Sequence, residues 1–97
     1  MSQTFKSLPI TLTELLIPNK LNITDDSVTF TYNLGLDHLF IKSITTTINR
    51  HFINSVEIIN NYISSNIIIR GIGLQTIVAF DFKKSDAEKI RDILLPN

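Results

Sequence analysis

Cysteine is absent from this sequence of 97 residues. The chain therefore has no disulfide bond, thiolate metal site or cysteine nucleophile, and the absence is typical of a cytoplasmic protein. The sequence also lacks an unbroken apolar run of the roughly 20 residues that a membrane-spanning helix needs. No secretory leader is evident at the N-terminus, because Thr11, Thr13 and Glu14 interrupt its apolar residues. We expect a soluble, cytoplasmic protein.

A surplus of charge is also absent, since nine basic side chains balance nine acidic ones. Nucleic-acid binding depends on lysine and arginine that neutralise phosphates, so a nucleic-acid partner is not expected. The nearest approach to a basic cluster, Lys83 and Lys84, is flanked by Asp81 and Asp86. Anionic lipid binding also needs a cluster, because each basic residue contributes only about 1 kcal/mol. Membrane lipid is therefore disfavoured as a partner.

What the sequence does contain is a strong β pattern from residue 19 onward. Apolar and polar residues alternate with the period of a strand on both sides of a turn at Asp25-Asp26. The apolar positions of this hairpin are Leu21, Ile23, Val28, Phe30, Tyr32 and Leu34. With 43% hydrophobic residues, the chain can form one folded domain with a modest core.

Four further strands follow the first hairpin. One is predicted over residues 39–48, and the next begins near Ile53 with an irregularity at Asn54-Ser55 that indicates either a β-bulge or a late start of the strand. The last hairpin joins residues 67–70 to residues 76–80. Its connection contains two glycines, which we expect to adopt the positive φ angles of a tight turn.

The C-terminus has the periodicity of an amphipathic helix at about residues 85–95. Ser85 and Glu88 have the spacing of a capping box. The apolar stripe consists of Ala87, Ile90, Ile93 and Leu94. We expect this helix to cover an open end of the β structure.

Residues 1–18 are predicted to be an N-terminal lead-in, with the main domain at residues 19–97. Thr11 and Glu14 have capping-box spacing, which favours a short helix ending before Pro18. The alternation of apolar residues from Ile10 to Ile17 equally allows a strand.

Four segments, in this order, resemble the bacterial pleckstrin-homology (PH-like) domain family: LNITDDSVTFTY, TTTINRHFINSVEI, NIIIRGIGLQTIVAFDF and SDAEKIRDILL. The resemblance implies a mainly β (α+β) fold, a bent antiparallel β-sandwich or partly open barrel capped by one C-terminal α-helix. The family has no invariant catalytic residues to carry over. The chain departs from it at Asn49–Phe52, where members often have a proline and an acidic residue.

Arg50 and His51 stand between two β-branched runs and are the most conspicuous polar pair. A catalytic histidine needs a group that orients its ring, and no nearby aspartate or glutamate is placed to do so. His38 follows Asp37, and a metal site would pair them with His51. Two histidines on separate loops fall short of the usual four ligands. We therefore predict no catalytic residue, metal site or cofactor, and a turn at Arg50-His51.

Several apolar residues lie at loops, strand ends or positions out of phase with the core. They are Leu36, Leu39, Phe40, Phe52, Ile59, Ile63, Ile72 and Leu74. A small domain does not bury all of these, and exposed apolar patches mark interaction surfaces.

These observations predict a non-enzymatic interaction module. It would bind a protein partner, or itself as a homo-oligomer, through an exposed strand edge or an apolar patch. The candidate contacts are Arg50, His51, Phe52, Ile72 and Leu74. One alternative is a PH-like domain that binds lipid at a membrane surface, and another is a small inhibitor or immunity-type protein.

Overall fold

The first half of the chain forms a four-stranded antiparallel sheet in the computed structural model, which describes residues 2–10, 12–37 and 40–95. Its strands are adjacent in chain order: β1 (Gln3–Lys6), β2 (Lys20–Ile23), β3 (Ser27–Asp37) and β4 (Phe40–Asn49). A short helix, α1 (Leu12–Leu16), lies between β1 and β2. The predicted hairpin around Asp25-Asp26 is the β2–β3 pair.

The second half forms a three-stranded antiparallel sheet and a helix. A 3₁₀ turn at Arg50–Phe52 leads into β5 (Ile53–Asn60), β6 (Ser65–Gly71) and β7 (Thr76–Phe82), and α2 (Lys84–Leu94) follows. The fold is therefore mainly β with one C-terminal helix, as expected. Over the described residues, the two sheets do not close into a barrel.

The core lies between the two sheets and against α2. Alternation along the strands turns one apolar face of each sheet inward. The buried apolar residues are Leu21, Ile23, Val28, Phe30, Ile48, Val56, Ile67, Ile69, Ile77, Ala79, Phe82, Ala87, Ile90 and Leu94. The ring centroids of Phe30 and Phe82, from opposite sheets, are 6.2 Å apart.

The predicted irregularities of the second sheet are present in part. The β5–β6 register shifts between Ile53 and Ser55, which confirms the bulge. Of the two glycines in the last hairpin, only Gly73 has a positive φ, of 73°. Gly71 is needed for space instead, because a Cβ there would approach Ile48 Cγ2 to 3.0 Å.

Helix α2 packs on β5 and β6 through its apolar stripe, with Ala87, Ile90 and Leu94 buried. The prediction that Ser85 caps this helix was wrong. The capping position, where the backbone is still extended, is Lys83, and its side chain makes no capping hydrogen bond. Ser85 is the second helical residue, where a side chain no longer has the geometry of a cap.

The N-terminal residues contribute both a strand and a helix. Strand β1 pairs with β2 from Gln3↔Ile23 to Lys6↔Lys20, so this part of the expected lead-in is integrated in the first sheet. Beyond β1, the Leu8 N–H donates to the carbonyl of Asp81 in β7 at 2.7 Å. The segment therefore connects the two sheets. Thr11, the proposed cap of α1, lies outside the described residues.

Within the described parts of the chain, neither helix has the length and apolar character needed to cross a membrane.

Candidate functional site

Arg50, a predicted contact residue, is half-buried and connects three parts of the fold. Its guanidinium donates through Nη1 to the Thr24 carbonyl at 2.7 Å and through Nη2 to the Ile93 carbonyl at 2.9 Å. Ile93 lies in the last turn of α2, where carbonyls lack helical partners and a cation is favoured. Arg50 therefore joins the β2–β3 turn to the end of α2, a role that the sequence did not reveal.

Replacing Arg50 with methionine is expected to lower the free energy of unfolding by about 2–3 kcal/mol, because two hydrogen bonds from a charged donor are lost. Chemical denaturation measures this loss. The neighbouring variant His51→Ala is the control and should change stability by less than about 0.5 kcal/mol, since the His51 side chain is exposed. Equal stability of the two variants would contradict this role of Arg50.

The other predicted contact residues lie near one another at one end of the second sheet. The Ile72 N–H donates to the Phe52 carbonyl at 2.9 Å, which places the 3₁₀ turn beside the β6–β7 turn. Phe52, Ile72 and Leu74 are 47%, 56% and 100% exposed. We call these three residues the tip patch. His51 is adjacent in the chain and exposed. The tip patch and His51 therefore form one exposed surface, whose function stays a prediction.

The remaining apolar residues do not extend the tip patch. Ile59 and Ile63 are exposed, but they lie at the far end of β5 and in the following loop. Because a strand rises about 3.3 Å per residue, Ile59 is roughly 20 Å from the start of β5. Leu39 and the side chains of Leu36 and Phe40 lie outside the described part of the structure. The residues predicted to form one patch thus belong to separate surfaces.

No metal centre is evident in the described ranges, which contain no group of three or more histidine, cysteine, aspartate or glutamate side chains suited to a metal ion. His38 falls outside these ranges. Asp25 and Asp26 are exposed in the β2–β3 turn.

A second apolar surface, which the sequence analysis missed, lies where β3 and β4 extend beyond the second sheet. Exposure rises along the core-facing positions of β4, because Ile48 is fully buried and Ile44 is 54% exposed. On β3, Phe30 is buried and Tyr32, two residues further on, is 37% exposed. The inward face of the first sheet is therefore covered at one end only.

This exposed surface continues onto the second sheet. Tyr32 and Ile44 are cross-strand partners, and the Tyr32 ring lies 6.2 Å from that of Phe80 in β7. Val78, two residues before Phe80 and hence on the same face of β7, is 38% exposed. We call Ile44, Tyr32, Phe80 and Val78 the apolar band.

A cleft of about 420 Å³ adjoins the apolar band. Helix α1, the exposed end of β3 and the end of β7 all contribute to its walls. The lining residues are Glu14, Asn19, Tyr32, Asn33, Leu34, Phe80 and Asp81. Tyr32 and Phe80 thus belong to both the apolar band and the cleft.

Hydrogen bonds between side chains and the backbone position the polar lining. The Asn33 N–H donates to Asn19 Oδ1 at 2.8 Å, and the Asn33 side-chain amide donates to the Pro18 carbonyl at 2.8 Å. Asn19 also receives support from Ser7, whose hydroxyl accepts from the Asn19 N–H at 2.9 Å. These contacts fix the start of β2 against β3, which gives the cleft a defined wall.

Asp81 has a left-handed backbone with a φ of 63°, which aspartate tolerates better than most residues. It lies in a bulge where the β6–β7 register shifts between Ser65 and Ile67. Asn66 Oδ1 accepts from the Asp81 N–H at 3.0 Å, and the Ser64 hydroxyl donates to Asp81 Oδ1 at 3.4 Å. Such bulges re-aim side chains, often next to functional sites.

Two carboxylates, those of Glu14 and Asp81, line the cleft, and no histidine is among its lining residues in the described structure. Glu14 is 6% exposed. Comparisons of the chain with protein-family models, with curated proteins and with solved structures found no match.

Proposed function

We propose that the protein is a non-enzymatic, PH-like interaction module that binds a protein partner, or a second copy of itself, through the apolar band. The observation that carries this proposal is the continuity of exposed apolar side chains from Ile44 through Tyr32 and Phe80 to Val78. Small soluble domains rarely leave connected apolar surface uncovered unless it is used for an interaction.

The position of β4 adds a second argument. It is the outermost strand of its sheet, and within the described residues no strand pairs with its other edge. An unpaired edge presents backbone donors and acceptors to which an extended segment of a partner can add. Ile44 lies on this strand, so an added segment would use the free edge and the apolar band together.

The PH-like part of the proposal is supported by the order of the elements. A four-stranded and a three-stranded antiparallel sheet, each with sequential strands, precede a C-terminal helix that packs on the second sheet. The resemblance implies antiparallel β structure capped by one C-terminal helix, and this order of elements agrees with it. The lipid-binding alternative has less support, because the described residues of the band and cleft include no lysine or arginine and Arg50 is bonded to two carbonyls.

The double variant Ile44→Gln with Val78→Gln tests the proposal without adding charge. We expect it to lose self-association in size-exclusion chromatography with light scattering. If the wild type is monomeric, the variant should fail to retain the proteins that the wild type captures from its source cell. Removing two exposed apolar side chains from an interface core should weaken binding by about 2–4 kcal/mol.

The matched control is Ser43→Gln with Thr45→Gln. It introduces two glutamines on the opposite face of β4, at two positions that are exposed. This control should behave as the wild type. Unchanged mass and unchanged capture by the Ile44→Gln, Val78→Gln variant would remove the apolar band as the interface.

A further inference from the structure

Strand β4 presents a long edge that no other strand of the described structure covers. It runs over Phe40–Asn49, whereas the opposite edge of the same sheet, β1, has only four residues. Proteins usually protect such an edge with proline or a bulge, because its backbone groups can pair with another chain. Strand β4 contains no proline, and the extra residue of the β3–β4 bulge lies on β3.

The pairing with β3 shows which backbone groups of β4 face this edge. The Arg50 N–H donates to the Asp26 carbonyl at 2.9 Å, immediately beyond the end of the β3–β4 ladder. In antiparallel strands, residues bonded to the neighbour alternate with residues whose N–H and C=O point away from it. Counting back from Arg50, the residues that point to the free edge are Ser43, Thr45 and Thr47.

Two side-chain contacts agree with this alternation. The Asn33 N–H donates to Asn19 Oδ1 and is therefore turned away from Ser43, its cross-strand partner in β4. The hydroxyls of Thr29 and Thr47 lie 3.0 Å apart, as expected for a pair without backbone bonds, in which side chains approach most closely. The free edge is therefore a regular row of unused donors and acceptors.

A second copy of the chain satisfies this row when the two β4 strands run antiparallel about a two-fold axis at Ile44. Ser43 of each copy then faces Thr45 of the other, so the outward backbone groups bond reciprocally. Ile44 faces Ile44 of the second copy in a pair without backbone bonds, where Cα atoms are about 4.5 Å apart. The exposed isoleucines thus cover one another.

The half-covered inward face of the first sheet makes two copies complementary. In each copy the second sheet covers the end that contains Ile48 and leaves Ile44 exposed. Antiparallel pairing puts the two second sheets at opposite ends of the joined sheet. The uncovered end of one copy then lies beside the covered end of the other, and Ile44 and Tyr32 of both copies meet near the axis.

Charge and area also favour a second copy. The chain has no net charge, and Lys42 is the only charged residue of β4. In this register Lys42 faces Thr46 of the second copy, so no like charges are opposed. A stable interface buries at least about 1,200 Å² in total, which roughly ten residues on each copy supply at about 60 Å² each. The edge strand and the apolar band together provide such a number.

We infer that the protein forms a two-fold symmetric dimer in which the β4 strands of two copies pair antiparallel about Ile44. This inference rests on the proposed function and names its partner, a second copy of the chain. On the opposite face of the joined sheet, Ser43 and Thr45 of the two copies extend the row of hydroxyls that the contact between Thr31 and Thr45 begins.

The absence of cysteine allows the register to be measured on the full chain. Ile44→Cys places one thiol in each copy, directly opposite the other and within the Cα separation of about 4.4–6.8 Å that a disulfide needs. Oxidised glutathione should convert this variant to a covalent dimer on a non-reducing gel. The control is Thr47→Cys at an exposed position of β4, whose two copies lie about 20 Å apart in this register. It should form at least about tenfold less covalent dimer.

Thr45→Pro tests the edge itself. The Thr45 N–H points to the free edge, so proline removes a donor of the dimer and none of the β3–β4 ladder. In size-exclusion chromatography with light scattering, we expect the wild type at twice the chain mass of 11.0 kDa and Thr45→Pro at the chain mass. The control Thr45→Val also loses the hydroxyl but keeps the N–H, and it should remain a dimer.

Equal cross-linking of Ile44→Cys and Thr47→Cys would overturn the inference, and so would a dimer that survives in Thr45→Pro. If circular dichroism shows that Thr45→Pro is unfolded, the two cysteine variants decide the question.

These outcomes are separable from failure of the proposed function. If the wild type is a monomer and Ile44→Gln with Val78→Gln loses the captured proteins, the apolar band stands as an interface and the dimer is overturned. If the dimer survives that double variant but is lost in Thr45→Pro, the pairing of β4 stands and the apolar band is not the interface.

Discussion

Replacing Leu94 with aspartate is expected to lower the free energy of unfolding by about 3–5 kcal/mol. Leu94 is 6% exposed and completes the apolar stripe with which α2 covers the second sheet. Aspartate there leaves a charge buried without a partner. It also puts a negative charge at the C-terminal end of the helix, where the backbone carbonyls already create a negative potential. Since domains of this size are stable by only about 5–15 kcal/mol, a large part of the total is lost.

The adjacent variant Leu95→Asp controls for the added charge, because Leu95 follows the last helical residue and is 37% exposed. Chemical denaturation, monitored by circular dichroism, should show a small change for Leu95→Asp and a large shift of the midpoint for Leu94→Asp. If both variants unfold at the same denaturant concentration, α2 does not hold the domain together through its apolar stripe.

The sequence pattern predicted the β structure well because alternation reports directly on which face of a strand is buried. Leu21, Ile23, Val28 and Phe30 alternate with polar residues, and all four are in the core. The C-terminal helix was equally visible, since its apolar stripe recurs with the period of a helix. These signals are local, so they do not depend on knowing how the two sheets are placed.

The limits of the pattern are also physical. Tyr32 and Leu34 continue the alternation of β3, yet they are 37% and 51% exposed. Alternation identifies the apolar face of a strand, but the length of that face that is covered depends on the position of the second sheet. The apolar band was missed for this reason.

Arg50 illustrates a second limit. Its partners are carbonyls at Thr24 and Ile93, which are 26 and 43 residues away in the chain. Backbone carbonyls are present at every residue, so no sequence signal distinguishes those that an arginine will reach. The same holds for the cleft, whose lining comes from α1, β3 and β7 and becomes a group only when the fold is complete.

The tip patch and the apolar band are the two candidate interaction surfaces, and their chemistry differs. The tip patch is apolar and includes the fully exposed Leu74. The apolar band adjoins both an unpaired strand edge and a cleft with two carboxylates. Specific binding needs apolar contact together with a few positioned polar groups, and the band has both. We therefore give the apolar band priority over the predicted contact residues.

Replacing Phe82 with alanine is expected to cost about 3–5 kcal/mol, the range observed when a large aromatic side chain is removed from a packed core. Phe82 is 0% exposed at the end of β7, and its ring centroid lies 6.2 Å from that of Phe30 in the first sheet. Its loss leaves a cavity where both sheets meet, and neither sheet can close it without breaking its own strand pairing.

The matched control is Phe52→Ala, since Phe52 is 47% exposed in the tip patch and its removal should cost less than about 1 kcal/mol. Thermal unfolding of the two variants checks this difference, because a change of 1 kcal/mol shifts the midpoint of a domain this size by about 4–8 °C. Similar midpoints for Phe82→Ala and Phe52→Ala would mean that Phe82 does not hold the two sheets together.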